Sequence, residues 1–135
     1  MTPSRDPLAT VQRYVDAFNV GDLAGMVACF AIEGSILDGM APHLWLGGSA
    51  PSDWYRDVLE EGEHLGAGGY FATLGEPAHN VVTGDAAYLV VPAAMTFDLR
   101  GQRITQTGAT FTFALKQEGG EWRIAAWAWA KGKAG

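Results

Sequence analysis

The chain contains a single cysteine, Cys29, so it forms no internal disulfide and suits a reducing compartment. Positive charge is scarce: nine Lys and Arg face fifteen Asp and Glu, for a net charge of −6, and no basic cluster occurs. Nucleic acid, which demands a basic footprint along its phosphates, is not an expected partner. No apolar run approaches the roughly 20 residues of a membrane span. The opening stretch MTPSRDPLAT has no apolar core of a signal peptide, so a cytoplasmic protein without membrane contact is expected. The three histidines, His43, His64 and His79, lack metal-ligand spacing, and the glycines lack a phosphate-binding pattern. Neither a metal nor a cofactor is expected.

What the chain does have is apolar and aromatic bulk. Hydrophobic residues make up 48% of 135 and charged residues 18%, which suits one folded domain over 1–135 with a real core. Eighteen glycines fit strands joined by tight turns. Five Trp, six Phe and four Tyr either fill that core or line an apolar ligand pocket.

The stretch from Val11 to Asp38 organises the rest. Asp6-Pro7 is a helix start, since Asp accepts free backbone N–H groups and Pro suits the first helical position. Leu8, Val11, Val15 and Phe18 then recur at helical spacing, with Tyr14 beside the stripe. Gly21 ends this helix and Asp22 caps a second, whose buried face is expected from Leu23, Met26, Val27 and Phe30. A short strand, Ser35–Leu37, delivers Asp38. Residues 39–49 read as a loop, and a third helix starts near Ser49–Ser52 and runs to about Glu61.

From there the period changes to two. Strands are expected at Tyr70–Leu74, Ala78–Val82, Ala86–Leu99, Gln102–Lys116 and Trp122–Ala130, with turns at Gly84, Gly101 and Gly119-Gly120. Pro92 cannot donate to a ladder and marks a bulge or an edge. Strict alternation puts Ala125, Trp127 and Trp129 on one face and Trp122, Ile124 and Ala126 on the other; likewise Ala109, Phe111 and Phe113 oppose Thr110 and Thr112. One aromatic face meets the helices, and the face around Trp122 and Ile124 is expected to serve a homodimer. The fold class is α+β: three N-terminal helices on a curved antiparallel sheet, forming a cone around a pocket.

Several residues also carry a resemblance. VQRYV at 11–15, GDL at 21–23, Val27-Ala28, Phe30-Ala31, Asp38, Gly47 and Tyr55 are similar to the ketosteroid isomerases of the nuclear transport factor 2-like (SnoaL-like) superfamily. The resemblance implies that Asp38 is the general base, Tyr14 the hydrogen-bond donor to a substrate carbonyl, and Tyr55 its buttress. It also implies that Trp129 walls the site, and that the protein is a dimer. Where that family has a second oxyanion donor, a protonated Asp, this chain has Ala109 or Thr110. The pocket lining is expected from Trp54, Ala109, Phe111, Phe113, Trp127 and Trp129, around a small hydrophobic ligand.

A carboxylate in an aromatic cavity suits abstraction of a proton next to a carbonyl, because burial raises its proton affinity. A phenol aimed at the developing enolate stabilises it. That pair serves isomerisation, and equally a polyketide cyclase or dehydratase. Taken singly, Asp38 also serves as a turn residue and Tyr14 as core packing, and a non-catalytic ligand-binding module has the same fold.

Overall fold

The computed structural model of the protein describes residues 6–134. Helix α1 (Pro7–Val20) begins as its caps dictate: the Asp6 carboxylate accepts from the Leu8 N–H at 2.9 Å, and Pro7 takes the first turn, where a missing N–H costs nothing. It ends at Gly21, whose φ of 73° is the left-handed conformation that glycine adopts without strain. Helix α2 (Leu23–Ala28) is capped by the Asp22 side chain on the Gly25 N–H. Its buried face reduces to Met26. Leu23 and Val27 are exposed, and Phe30 has already left the helix to open β1 (Phe30–Leu37), earlier than the expected Ser35.

Strand β2 (Leu44–Gly47) lies within the stretch read as a loop, pairing antiparallel with β1 so that Leu37 faces Leu44 and Ile36 faces Trp45. Helix α3 (Ala50–Leu65) continues past Glu61 to a left-handed cap at Gly66. Then come β3 (Ala67–Leu74), β4 (His79–Thr83), β5 (Ala86–Leu99), β6 (Gln102–Glu118), β7 (Glu121–Ala130) and β8 (Lys133–Ala134). One curved, unclosed sheet results, in the order β2-β1-β7-β6-β5-β3, with β4 also on β5 and β8 also on β6. It is antiparallel except where β1 runs parallel to β7. The architecture is α+β, as expected. Among the described residues no helix is long and apolar enough to cross a membrane.

Bulges decide which side chains face inward. Between β6 and β7, Ala114 pairs with Ala126 and Leu115 with Ile124, so Ala125 is an extra residue. The expected alternation therefore breaks there. Trp122 and Ile124, at 3% and 0% exposure, join Trp127 in the core and offer no dimer surface. Beside Pro92, Ala94 of β5 faces both Thr107 and Gly108 of β6, and Gly108 supplies the positive φ. That bulge turns Gln106 to the same side as Phe111. In β3 the residues Gly69 and Tyr70 stand opposite Phe97 alone, and the rings of Tyr70 and Phe97 meet at 5.9 Å. Each bulge bends its strand, and together they curve the sheet around α1 and α3.

Candidate active site

Inside the curve, between α1, α3 and the concave face of the sheet, lies a cavity of about 670 Å³. Its walls are mostly apolar: Val15 and Phe18 from α1, Val58 from α3, Ala72, Met95, Phe97 and Phe111 from the strands. Tyr14 and Asp38 both reach this cavity.

Tyr14 is 1% exposed, held between Phe30 and Trp127. The Trp127 indole N–H donates to its hydroxyl at 3.0 Å. No acceptor among the described residues takes the phenol's own proton, so that proton is available to a ligand. Burial pushes the Tyr14 hydroxyl far above its ordinary range, the indole bond opposes that, and nearby Cys29 and Asp38 add to the rise. The group remains a protonated donor at any physiological pH. Accepting an N–H polarises an O–H and strengthens its own donation.

Asp38 follows the last residue of β1. The Trp54 indole donates to its Oδ2 at 2.9 Å, and the Gly39 backbone N–H to its Oδ1 at 2.7 Å. Burial raises the carboxyl above its ordinary value of 3.8, against the lowering by Trp54, by the Gly39 and Met40 N–H groups and by His43. Desolvation is the largest of these. The carboxylate is thus made more basic by the apolar wall while its orientation is fixed by donors. The two indoles meet edge to face, ring centres 4.8 Å apart, so one aromatic pair positions both polar groups.

No protein-family model matches the chain, and no curated protein matches it. Solved structures do. LinA, a name carried by a hexachlorocyclohexane dehydrochlorinase, is similar with a TM-score of 0.77 at 13% identity, covering 93% of this chain and 86% of that one. A ketosteroid isomerase-like protein from Erwinia carotovora atroseptica gives 0.69 at 19% identity, covering 91% of each. An NTF2-like protein from Pseudomonas putida gives 0.65 at 18%, covering 90% of this chain and 81% of that one. The chain has the nuclear transport factor 2-like fold. Identities this low speak for the fold and for nothing finer.

Within that nuclear transport factor 2-like cone, Tyr14, Asp38, Trp54, Phe111, Trp127 and Trp129 all line the cavity. Three other expected site residues do not. Phe113, fully buried, packs on Phe111 with ring centres 4.2 Å apart, and Ala109, 2% exposed on the same strand face, contributes no lining side chain. Tyr55 packs on Phe18 and Trp54 with its hydroxyl over Gly21, so the partner of Tyr14 is Trp127 and not Tyr55. Among lining residues that sequence reasoning passed over, Met40, Met95 and Phe97 carry no signal beyond hydrophobicity. Gln106 is hidden by the Gly108 bulge. Glu61 and Lys131 carry no sequence signal that separates them from other surface charges. Among the described residues no cluster of three His, Cys, Asp or Glu is placed to hold a metal ion.

Proposed function

We propose that the protein is a cofactor-free acid/base enzyme of the ketosteroid isomerase kind, acting on a small hydrophobic carbonyl compound. The observation that carries this reading is one apolar cavity holding a carboxylate and a phenol, each fixed by an indole N–H, with the phenol's proton unclaimed. The substrate carbonyl oxygen accepts from Tyr14. Asp38 takes a proton from the adjacent carbon, the C–H electrons move into the carbonyl, and the enolate oxygen is held by the phenol. Return of the proton to a second carbon completes an isomerisation. The site works in a reducing, cytoplasmic setting, where the buried thiol of Cys29 stays free.

A second reading is favoured by the missing second donor. Ala109 carries no polar hydrogen, so the enolate oxygen has one strong donor, and losing such a donor typically costs ~3 to 4 kcal/mol. A dehydration or elimination relieves that deficit: the C–H electrons form a C=C bond while a halide departs as the anion, or a β-hydroxyl departs as water with the proton that Asp38 has taken. Dehydratases, and the dehydrochlorination named for LinA, are of this type, whereas a polyketide cyclase would use the same enolate as a nucleophile to form a C–C bond. A homodimer is part of the proposal. Its surface is the outer face of the sheet, where the β1–β2 register puts Leu37, Leu44 and Leu46 on one side at 49%, 48% and 63% exposure.

The test is turnover of 5-androstene-3,17-dione, followed by ultraviolet absorbance in wild type, Asp38→Asn and Tyr14→Phe. The reading requires loss in both variants. An inert wild type that still binds the dienolate mimic equilenin moves the assignment to the elimination chemistry. Activity that survives Asp38→Asn refutes the site, and leaves a ligand-binding module.

A further inference from the structure

The cavity wall formed by β7 carries polar hydrogens at successive inward positions. Trp127 donates to Tyr14 at the closed end. Two residues on, Trp129 lines the same cavity, and no acceptor among the described residues takes its indole N–H. Two further on, just past the end of β7, Lys131 reaches the cavity with no carboxylate within ion-pair distance among the described residues, and Gln106, half-buried and turned to the same cavity by the β6 bulge, has no hydrogen-bond partner there either. Glu61, on α3, is the one other charged group on the walls apart from Asp38, and it forms no ion pair with Lys131. The wall therefore runs from a carbonyl-binding phenol at one end to a cation and an amide at the other.

We propose that Lys131 and Gln106 form an anion-recognising mouth, and that the physiological ligand is an elongated apolar keto acid, its carbonyl at Tyr14 and its carboxylate at Lys131. Four residues of extended chain separate Trp127 from Lys131, which sets the distance between the two ends at roughly 13 Å. An apolar middle matches the wall of Phe111, Met95 and Phe97. This assignment rests on the reading of Tyr14 as the carbonyl donor, but it concerns affinity and not chemistry.

The experiment is a binding measurement by quenching of the cavity tryptophans, using 3-oxoandrost-4-ene-17β-carboxylic acid and its methyl ester at neutral pH. Wild type is expected to bind the acid roughly threefold to fivefold more tightly than the ester, the scale of one solvent-exposed ion pair. Lys131→Gln abolishes that preference by weakening the acid alone, and Lys131→Glu reverses it. Gln106→Leu reduces it without removing it. Equal affinity for acid and ester in the wild type overturns the proposal, as does a Lys131→Gln variant that weakens both equally, or failure of both probes to bind. Turnover by Asp38 enters none of these readings, so the two assignments fail separately.

Discussion

Helix α1 separates two cavities of nearly equal size that differ in every other respect. One face of the helix turns Tyr14, Val15 and Phe18 to the cavity of about 670 Å³; the other turns Thr10, Arg13, Asp16 and Ala17 to a cleft of about 690 Å³ against α2 and the start of β7. The cleft is the more charged, yet its groups satisfy one another. Arg123 bridges Glu121 and donates to the Ala28 carbonyl. Arg13 donates to Thr10, which in turn donates to the Trp122 carbonyl, and Asp16 accepts from Gln12. Asp22 is used up in capping α2. Cys29, at the floor, has its thiol pushed up by burial, against the lowering by Arg13, which leaves it a poor nucleophile at neutral pH. In the concave cavity the charged groups are fewer, but Tyr14, Trp129, Gln106 and Lys131 retain donors. Volume is common to both; unspent hydrogen-bonding capacity in an apolar wall belongs to one.

That contrast is broken most severely by Asp38→Asn, which is expected to lower kcat on a competent carbonyl substrate by ~100- to 10,000-fold, read by steady-state kinetics. Tyr14→Phe follows, with a loss of ~100- to 1,000-fold in kcat, as for other oxyanion donors. A smaller effect sharpens the role of the indoles. Because burial raises the Asp38 carboxyl, the acidic limb of the kcat/KM profile lies above that of an exposed aspartate: below the limb the group is already protonated and takes no proton. Trp54→Phe removes a donor that stabilises the carboxylate, so the limb moves to still higher pH in a pH–rate titration. The smallest effect belongs to the cleft. Arg13→Gln is expected to leave turnover within about twofold of wild type, the range of substitutions away from a working site. A large kinetic loss there would end the distinction between the two cavities.

Much of this was legible in the sequence, for local reasons. Asp6-Pro7 and Gly21 bound α1 because caps and left-handed turns are decided by one or two residues. Strand β5 runs over Ala86–Leu99 as periodicity indicated, and the turns at Gly84 and Gly101 fall where glycine is required. What was not legible depends on distant pairing. The extra residue at Ala125 is defined by β6, and without it Trp122 and Ile124 project to the wrong face. Gln106 enters the cavity only because Thr107 and Gly108 share one partner. The site was half visible: Asp38 and Tyr14 are single residues in a recognisable register. The Trp127 bond to Tyr14 spans 113 positions, and no local pattern announces it.

The most direct measurement of the central claim is α-proton exchange. Androst-4-ene-3,17-dione is incubated with the protein in D2O, and loss of the proton signals next to the conjugated carbonyl is followed by NMR. The account predicts exchange with wild type, loss with Asp38→Asn, and slowing with Tyr14→Phe, whatever product the proposed chemistry leads to. Exchange that proceeds at the same rate with Asp38→Asn as with wild type would contradict it.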